Sequence, residues 1–360
     1  MANMFDYLNW RGDIPFSVMD VNEVDALIFS VLAYVFYDDV VPSVPGEWIS
    51  LRLARQKLLA LPEPDSRGRV AEDVRLLEAS AETERFGNVE MGFYRNFFEE
   101  TTETQFGAVT FRMDGNSVFL AFRGTDNTII GWKEDFNMTF RETVPAQRLA
   151  AVYAMEVARW HTGKLHMGGH SKGGNLAMYA AAKCPAEVQA RIVDVYNHDG
   201  PGFDREMMEN AGYLGIVPKI RTFIPRSSVF GMLLEHKEPY RVIESTQVGL
   251  LQHDPYSWEI KGGRFVHLPQ LGEDSRFLDK TIRVWLEGLE KEERGAFFEA
   301  VFDLLLLENA SQVRDILRPQ NIMTLLRTLQ LDEEKRKLIG SVLTELLDAA
   351  KTTYATMEQK

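Results

Sequence analysis

Cysteine is nearly absent from this sequence. Cys184 is the only one among 360 residues. A single cysteine cannot form an intrachain disulfide, and it excludes a zinc site built from several thiolates. Disulfide-stapled secreted domains are therefore excluded as a class.

Long apolar runs and a secretory leader are also missing. The longest apolar stretch, Ala26 to Tyr37, is too short to span a bilayer and is typical of a buried helix. The segment Met1 to Asp6 lacks the positive region followed by an apolar region that a secretory signal needs. From these absences we expect a soluble, cytoplasmic protein without a transmembrane segment.

Basic residues are too few for a nucleic-acid-binding protein. Acidic residues outnumber basic ones 53 to 40, the net charge is -13, and no long basic run is present. A phosphate backbone is bound by clusters of Lys and Arg that release its counterions. We therefore expect neither nucleic acid nor an anionic lipid surface as a partner. With 45% hydrophobic residues, the chain is typical of a globular protein with a large core.

The periodicity of the sequence changes twice along the chain. Residues 1–104 carry helical patterns around Val24–Phe29 and Val70–Arg85, and are predicted to be a helical N-terminal region packed on the core. Residues 105–272 alternate short apolar strands with helices, which predicts βαβ units and a mostly parallel sheet. Residues 273–360 return to a Leu-rich helical pattern and are predicted to be a helical C-terminal extension.

The middle part contains six predicted strands and two clear helices. The strands are Ala108–Arg112, Ser117–Phe122, Lys164–Gly168, Ile192–Asn197, Lys219–Ile224 and Tyr240–Glu244. Asp114-Gly115-Asn116 predicts a hairpin turn between the first two. The helices are Ala146–Trp160 and Gly173–Ala182.

A Gly-x-Ser-x-Gly motif lies between a predicted strand and a predicted helix. It is Gly169-His170-Ser171-Lys172-Gly173. A nucleophile elbow requires this context, and its two glycines avoid collisions with the neighbouring strand and helix. We therefore predict Ser171 as a nucleophile, with the backbone N–H of Lys172 donating to an oxyanion from the start of the helix. The alternative is a glycine-rich turn with a structural serine.

A second motif, Phe122-Arg123-Gly124-Thr125, ends an apolar strand upstream. Sites of α/β proteins assemble at the carboxyl ends of strands. The N–H and hydroxyl of Thr125 are therefore predicted as the other half of an oxyanion hole. Further along, Asp135 is predicted to support this loop by hydrogen bonds.

These motifs resemble those of a known superfamily. Phe122–Thr125, Trp132–Asp135 and Gly169–Gly174 resemble class 3, fungal-lipase-like serine hydrolases in order and spacing. Phe5–Trp10 and Gln252–Trp258 resemble a bacterial branch of that superfamily. The resemblance implies an α/β-hydrolase fold with a lipase-like core and the oxyanion hole described above.

Two positions depart from the pattern of that superfamily. Lys172 stands where such lipases usually carry an apolar residue, and a cation there suits a polar or anionic substrate better than a neutral triglyceride. The catalytic acid usually follows the strand Lys219–Ile224, but residues 225–229 read Pro-Arg-Ser-Ser-Val, without a carboxylate. The resemblance therefore leaves the acid open.

Strand order offers an acid at another position. In the order Ser, acid, His, the acid lies at the carboxyl end of a strand between the other two. Asp199 follows the strand Ile192–Asn197 and is our predicted acid, although an Asp before Gly200–Gly202 could simply cap a turn. Asp254 ranks second, because it adjoins His253 in sequence and neighbouring side chains rarely face each other.

The sequence offers seven histidines for the general base. Order and position remove four of them: His161, His166, His170 and His198. His253 follows the strand Tyr240–Glu244 in a loop, where a hydrolase base belongs, and is predicted as the base. His236 and His267 remain alternatives.

Together these residues predict acyl transfer. His253 takes the proton of Ser171, Asp199 stabilises the imidazolium, and two N–H groups hold the oxyanion. The predicted function is hydrolysis of a carboxylic ester, small-molecule or lipid, without metal or organic cofactor. Thioesterase and peptidase chemistry share the same acyl-enzyme step and stay open. So does a catalytically silent lipase fold that serves as a binding or scaffold protein.

Overall fold

The computed structural model describes most of the chain. The described residues are 1–114, 116–126, 138, 143–228, 230–272, 277, 280, 281, 284, 285, 288, 289, 293 and 333–357. The chain divides into two compact units. The first comprises Met1–Phe98, Phe106–Gly124 and Pro145–Leu271, and the second Glu99–Gln105, Thr125–Val144 and Gly272–Lys360.

The described part of the chain contains strands β1 to β11. They are β1 (Ile49–Ser50), β2 (Glu90–Glu99), β3 (Thr104–Asp114), β4 (Ser117–Phe122), β5 (Lys164–His170), β6 (Ile192–His198), β7 (Ile220–Pro225), β8 (Tyr240–Ile243), β9 (Ile260–Lys261), β10 (Arg264–Phe265) and β11 (His267–Leu268). Nine of them form one sheet in the order β1-β2-β3-β4-β5-β6-β7-β8-β11, and β9 pairs separately with β10.

The centre of the large sheet is parallel. Neighbouring strands from β4 to β8 run in the same direction, while the pairs β1/β2, β3/β4 and β8/β11 are antiparallel. Phe122 pairs with Gly169, and His170 pairs with His198. The carboxyl ends of the parallel strands therefore meet at one edge, where α/β folds place their sites.

The described helices begin in the N-terminal region and continue between the strands. They are α1 (Met4–Arg11), α2 (Glu23–Leu32), α3 (Leu51–Leu59), α4 (Ala71–Glu82), α5 (Glu84–Gly87), α6 (Pro145–Trp160), α7 (Lys172–Lys183), α8 (Ala186–Gln189), α9 (Arg205–Met208), α10 (Ala211–Ile216) and α11 (Glu333–Met357). Asn3 and Asn22 begin α1 and α2 with capping boxes, which satisfy otherwise unpaired N–H groups of the first turn. Within the described residues, no helix is long and apolar enough to cross a membrane.

The sheet separates two hydrophobic clusters. Phe119 and Ala121 of β4 pack with the apolar residues of α2 and α4, whereas Val118, Leu120 and Phe122 pack with those of α6 and α7. Alternate side chains of a strand point to opposite faces. The N-terminal helices therefore cover one face, and α6 and α7 cover the other.

A buried ion pair fixes α2 within the N-terminal region. Arg85 Nε and Nη2 donate to the two carboxylate oxygens of Asp25 at 2.8 and 2.6 Å. Tyr7 donates to the same carboxylate at 2.7 Å. The charges are paired and hydrogen-bonded, as burial requires. This cluster fixes the position of α2 and of the residues that follow it.

Comparison with the expectations confirms the fold class, a mixed α/β fold of α/β-hydrolase type with a mostly parallel sheet. All six predicted strands are present, and β4 has the expected ends. Residues 1–104 contain α1 to α5, as expected of a helical N-terminal region. They also contain β1 and β2, which the sequence analysis did not predict and which pair through Ile49 and Met91. That pairing joins segments far apart in sequence, so local periodicity does not reveal it. The three-part domain division stays a prediction, and α11 lies in the part predicted as a helical extension.

Candidate active site

Ser171 lies at a sharp turn between β5 and α7. Its φ of 60° and ψ of -133° are rare for a residue with a side chain. The turn is held by two hydrogen bonds: Ser171 N–H donates to His198 O at 2.9 Å, and Gly174 N–H donates to Ser171 O at 2.9 Å. Such strain persists only where the surrounding structure enforces it, and it is typical of functional sites.

The two glycines of the motif are required by close packing. A Cβ on Gly169 would overlap the backbone of Gly173, and a Cβ on Gly173 would overlap the carbonyl oxygen of Phe122. The expectation that side chains here would collide with the neighbouring strand and helix is confirmed. The packing also brings the end of β4 against the elbow, since Gly124 has no room for a side chain beside His170 O.

Asp199 directly follows β6 in the sequence and is fully buried. Its φ of 55° is also positive. The turn that follows is closed by Asn197, whose side chain accepts from Gly200 N–H at 2.9 Å and donates to Gly200 O at 3.1 Å. The backbone N–H of Asp199 donates to Phe223 O at 2.8 Å. These contacts fix the backbone of Asp199 and thereby the direction in which its carboxylate points.

Each oxygen of the Asp199 carboxylate has its own partners. Oδ2 accepts from His253 Nδ1 at 2.6 Å. Oδ1 accepts from the Ser228 hydroxyl and from Gly231 N–H, the latter at 3.2 Å. A buried carboxylate needs such donors to remain charged. The structure thus brings Asp199 and His253 together, as the sequence predicted. Ser228 contacts the other oxygen of the carboxylate.

His253 ends the 3₁₀ helix Gly249–His253 and is partly exposed, with 20% of its side chain accessible. The Phe230 ring lies against it, with the ring centres 4.3 Å apart. Its neighbour Gln252 anchors the loop, since the side chain accepts from Ser227 N–H at 2.8 Å and the carbonyl accepts from Trp258 Nε1 at 2.8 Å. His253 therefore lies on a loop that is fixed on both sides.

Ser171 and the Asp199–His253 pair converge at the same edge of the sheet. A Cβ on Gly200, directly after Asp199, would overlap the carbonyl oxygen of Ser171. His170, directly before Ser171, contacts His253 through a 2.8 Å hydrogen bond from Nε2 to His253 O. The Ser171 side chain makes no capping hydrogen bond to α7, and catalytic hydrogen bonds often tighten only with substrate.

The predicted oxyanion-hole residues have different surroundings. Lys172 is the first residue of α7, where helix N–H groups favour a negative charge, and it is 1% exposed. Its side chain is therefore buried, and the preference for a polar or anionic substrate that was inferred from this lysine stays a prediction. Thr125 is half-buried and follows β4 by three residues. Its role stays a prediction, and Asp135 lies outside the described residues.

The alternative bases and acid have other partners. His236 Nδ1 bonds Glu238 Oε1 at 2.8 Å, and His267 Nε2 lies 3.2 Å from Glu23 Oε1. Burial raises the pKa of Glu238, but hydrogen bonds from His236 and other groups outweigh it and lower the pKa overall. Asp254 accepts from Tyr256 N–H at 3.2 Å and thereby caps a short 3₁₀ helix. None of these three contacts involves Asp199 or His253.

Sequence reasoning missed the residues that hold the pair in place. Ser228 occupies the segment where a carboxylate was sought, and Gln252 and His170 adjoin site residues in sequence. For Gln252 and His170, the available signal is a polar side chain next to a site residue in the sequence. The hydrogen-bond partners of all three residues lie far away in the chain. In the part of the chain that the structure describes, no group of three or more His, Cys, Asp or Glu could hold a metal. The expectation that no cofactor is needed stays a prediction.

A strained serine at a strand–helix turn and an Asp–His pair beside it, at the carboxyl edge of a mostly parallel sheet, define an α/β-hydrolase-like protein. The chain belongs to the Mbeg1-like family, whose model matches residues 80–303. That family lies in the lipase-like, class 3 fungal lipase superfamily, which confirms the superfamily expected from the sequence. The bacterial branch stays a prediction.

The comparison with solved structures includes a mutant form of MDLA from Penicillium cyclopium. The identity is 14%, the match covers 69% of this chain and 87% of that chain, and the TM-score is 0.37. The comparison with curated proteins gives no match.

Proposed function

We propose that the protein is a cytoplasmic serine hydrolase that cleaves a carboxylic ester through an acyl-enzyme on Ser171. The observation that carries the proposal is the 2.6 Å hydrogen bond between His253 Nδ1 and Asp199 Oδ2, at the sheet edge where Ser171 occupies a strained turn. The single cysteine, Cys184, is free and buried, which is compatible with a reducing compartment.

The mechanism follows from the hydrogen-bond partner of His253, because a carboxylate oxygen can only accept. Nδ1–H of His253 donates to the Asp199 carboxylate, so Nε2 of the neutral ring carries the free lone pair. Nε2 takes the Ser171 proton while Oγ attacks the ester carbonyl carbon. His253 then returns the proton to the departing alcohol oxygen as the C–O bond breaks, and a water molecule repeats the sequence to release the acid. Backbone N–H groups of Lys172 and Thr125, with the Thr125 hydroxyl, stabilise the oxyanion.

The surroundings of His253 support an apolar acyl group as part of the substrate. Phe230 is only partly buried and its ring contacts the imidazole. The substrate class is a small-molecule or lipid ester, and an aromatic ring beside the base offers contact area for its apolar part.

Hydrolysis of a matched substrate set tests the proposal. Esters, thioesters and anilides with the same acyl group, followed by esters of increasing chain length, separate esterase from thioesterase and peptidase activity. We expect ester turnover by the wild-type protein and none by Ser171→Ala. The matched control is Ser80→Ala, which alters a buried serine of α4 and should retain full turnover.

Two outcomes would contradict the proposal. Equal turnover by Ser171→Ala and wild type would remove Ser171 as the nucleophile. No turnover of any substrate by folded wild-type protein would favour the silent lipase fold with a binding or scaffold role.

A further inference from the structure

His170, the residue before the proposed nucleophile, uses both ring nitrogens. Nε2 lies 2.8 Å from His253 O, and Nδ1 lies 2.9 Å from the hydroxyl of Tyr34. A carbonyl oxygen can only accept, so Nε2 must carry the hydrogen. In the neutral ring Nδ1 then accepts, and the Tyr34 hydroxyl donates to it. The carbonyl of His253 therefore selects one tautomer of His170, and the Tyr34 hydroxyl supplies the donor that this tautomer needs at Nδ1.

The charge state of His170 agrees with this assignment. The ring is fully buried, and burial, with the nearby His253 and Arg69, holds the pKa of His170 well below its usual range. His170 is therefore neutral at ordinary pH. A neutral ring with one donor and one acceptor matches its two partners.

Tyr34 comes from the N-terminal region and reaches the centre of the site. It lies two residues beyond the end of α2 and is 1% exposed. The Arg69 guanidinium lies over its ring, 4.2 Å from the centre. A Cβ on Gly124 would overlap the Tyr34 hydroxyl, so this hydroxyl also packs against the segment that follows β4. The packing leaves the hydroxyl little freedom to move away from His170.

The contact from His170 acts on the main chain of His253. Asp199 holds the imidazole through Nδ1, while His170 holds the carbonyl of the same residue. The His170 and His253 rings also contact each other in a tilted arrangement, with an interplanar angle of 37° and centres 4.6 Å apart. Fixing both the side chain and the backbone restricts the orientation of Nε2, and catalysis is sensitive to displacements of about 1 Å.

We infer that Tyr34 and His170 are positioning residues for His253, so that the N-terminal helical region is part of the catalytic machinery. This inference rests on the proposed function. Loss of the Tyr34 hydroxyl leaves Nδ1 of His170 without its donor. This buried nitrogen then lacks a hydrogen-bond partner, the imidazole is no longer held from that side and can shift away from the His253 carbonyl, and the base loses its backbone restraint.

The test compares Tyr34→Phe with Tyr37→Phe. Tyr37 is equally buried, and its hydroxyl donates to Leu32 O at 3.1 Å, away from the site. We expect Tyr34→Phe to lower kcat and the rate of fluorophosphonate labelling about 10- to 100-fold with little change in KM. Tyr37→Phe should retain both rates. Thermal unfolding of each variant checks that the fraction folded is equal.

A second pair of variants serves if Tyr34→Phe does not fold. His170→Gln retains an amide donor near the position of Nε2, whereas His170→Leu has none. We expect His170→Gln to recover most of the labelling rate that His170→Leu loses, which a role in packing alone would not produce. Equal rates in this pair, or a wild-type rate in Tyr34→Phe, would overturn the inference while the proposed function stands. No labelling of the wild-type protein would instead overturn the proposed function.

Discussion

Replacement of Asp199 by Asn is the sharpest perturbation of the proposed triad. The amide oxygen can take the place of Oδ1 and keep its bonds to Ser228 and Gly231. The amide NH₂ then faces His253 Nδ1, where the carboxylate oxygen now accepts at 2.6 Å. The Asn side chain has the shape of Asp and retains the hydrogen bonds to Ser228 and Gly231. The change is that the group facing the imidazole donates a hydrogen bond where the carboxylate accepted one.

The expected loss follows from the tautomer. An NH₂ group can only donate, so Nδ1 of His253 must accept and the ring hydrogen moves to Nε2. Nε2 can then no longer take the Ser171 proton, and the imidazolium also loses its buried countercharge. We expect kcat to fall about 10⁴-fold, which corresponds to roughly 5 kcal/mol of transition-state stabilisation.

Ester turnover and the rate of fluorophosphonate labelling measure this loss. Asp254→Asn is the matched control, since it makes the same change at the next residue after His253, where the carboxylate caps a short helix. It should retain turnover within a fewfold range. A folded Asp199→Asn variant with wild-type turnover, or a larger loss in Asp254→Asn, would refute the assignment of the acid.

Two further predictions concern the oxyanion hole and the buried histidine next to Asp199. If Thr125 donates to the oxyanion, Thr125→Val should lower kcat by roughly ten- to a thousandfold in a folded protein, and an unchanged kcat would mean that Thr125 has only a structural role. Burial lowers the pKa of His198 in the folded protein to about 3, whereas a histidine in the unfolded chain has a pKa of about 6.5. Below pH 6.5 the unfolded chain therefore binds more protons than the folded protein, and the free energy of unfolding decreases as the pH falls. Between pH 7 and pH 5 the wild type should lose about 2 kcal/mol more unfolding free energy than His198→Phe in urea titrations, and equal losses would contradict a neutral buried His198.

The parts of the site that the sequence could predict depend on local geometry. The elbow requires a strand, a turn and a helix within a short segment, and its glycines are fixed by close packing that the motif itself encodes. Asp199 follows from strand order, because neighbouring parallel strands end at the same sheet edge. Both arguments need only the sequence between Lys164 and Asp199.

The parts that could not be predicted depend on contacts between distant segments. Tyr34 and His170 are separated by 136 residues, and nothing in the helical pattern around Tyr34 indicates a polar contact. Ser228 reaches Asp199 across 29 residues from the end of the next strand. The strand pairing of Ile49 with Met91 was missed for the same reason. Such contacts are set by packing of the complete fold, which local periodicity does not encode.

The central claim is that Ser171 is an activated nucleophile, and covalent labelling of the intact protein tests it most directly. Wild-type protein is treated with a fluorophosphonate, and mass spectrometry of its peptides locates the label. We predict one label, on the peptide that contains Ser171, and no label in Ser171→Ala. Folded wild-type protein that takes up no label, or a label that persists in Ser171→Ala, would contradict the account.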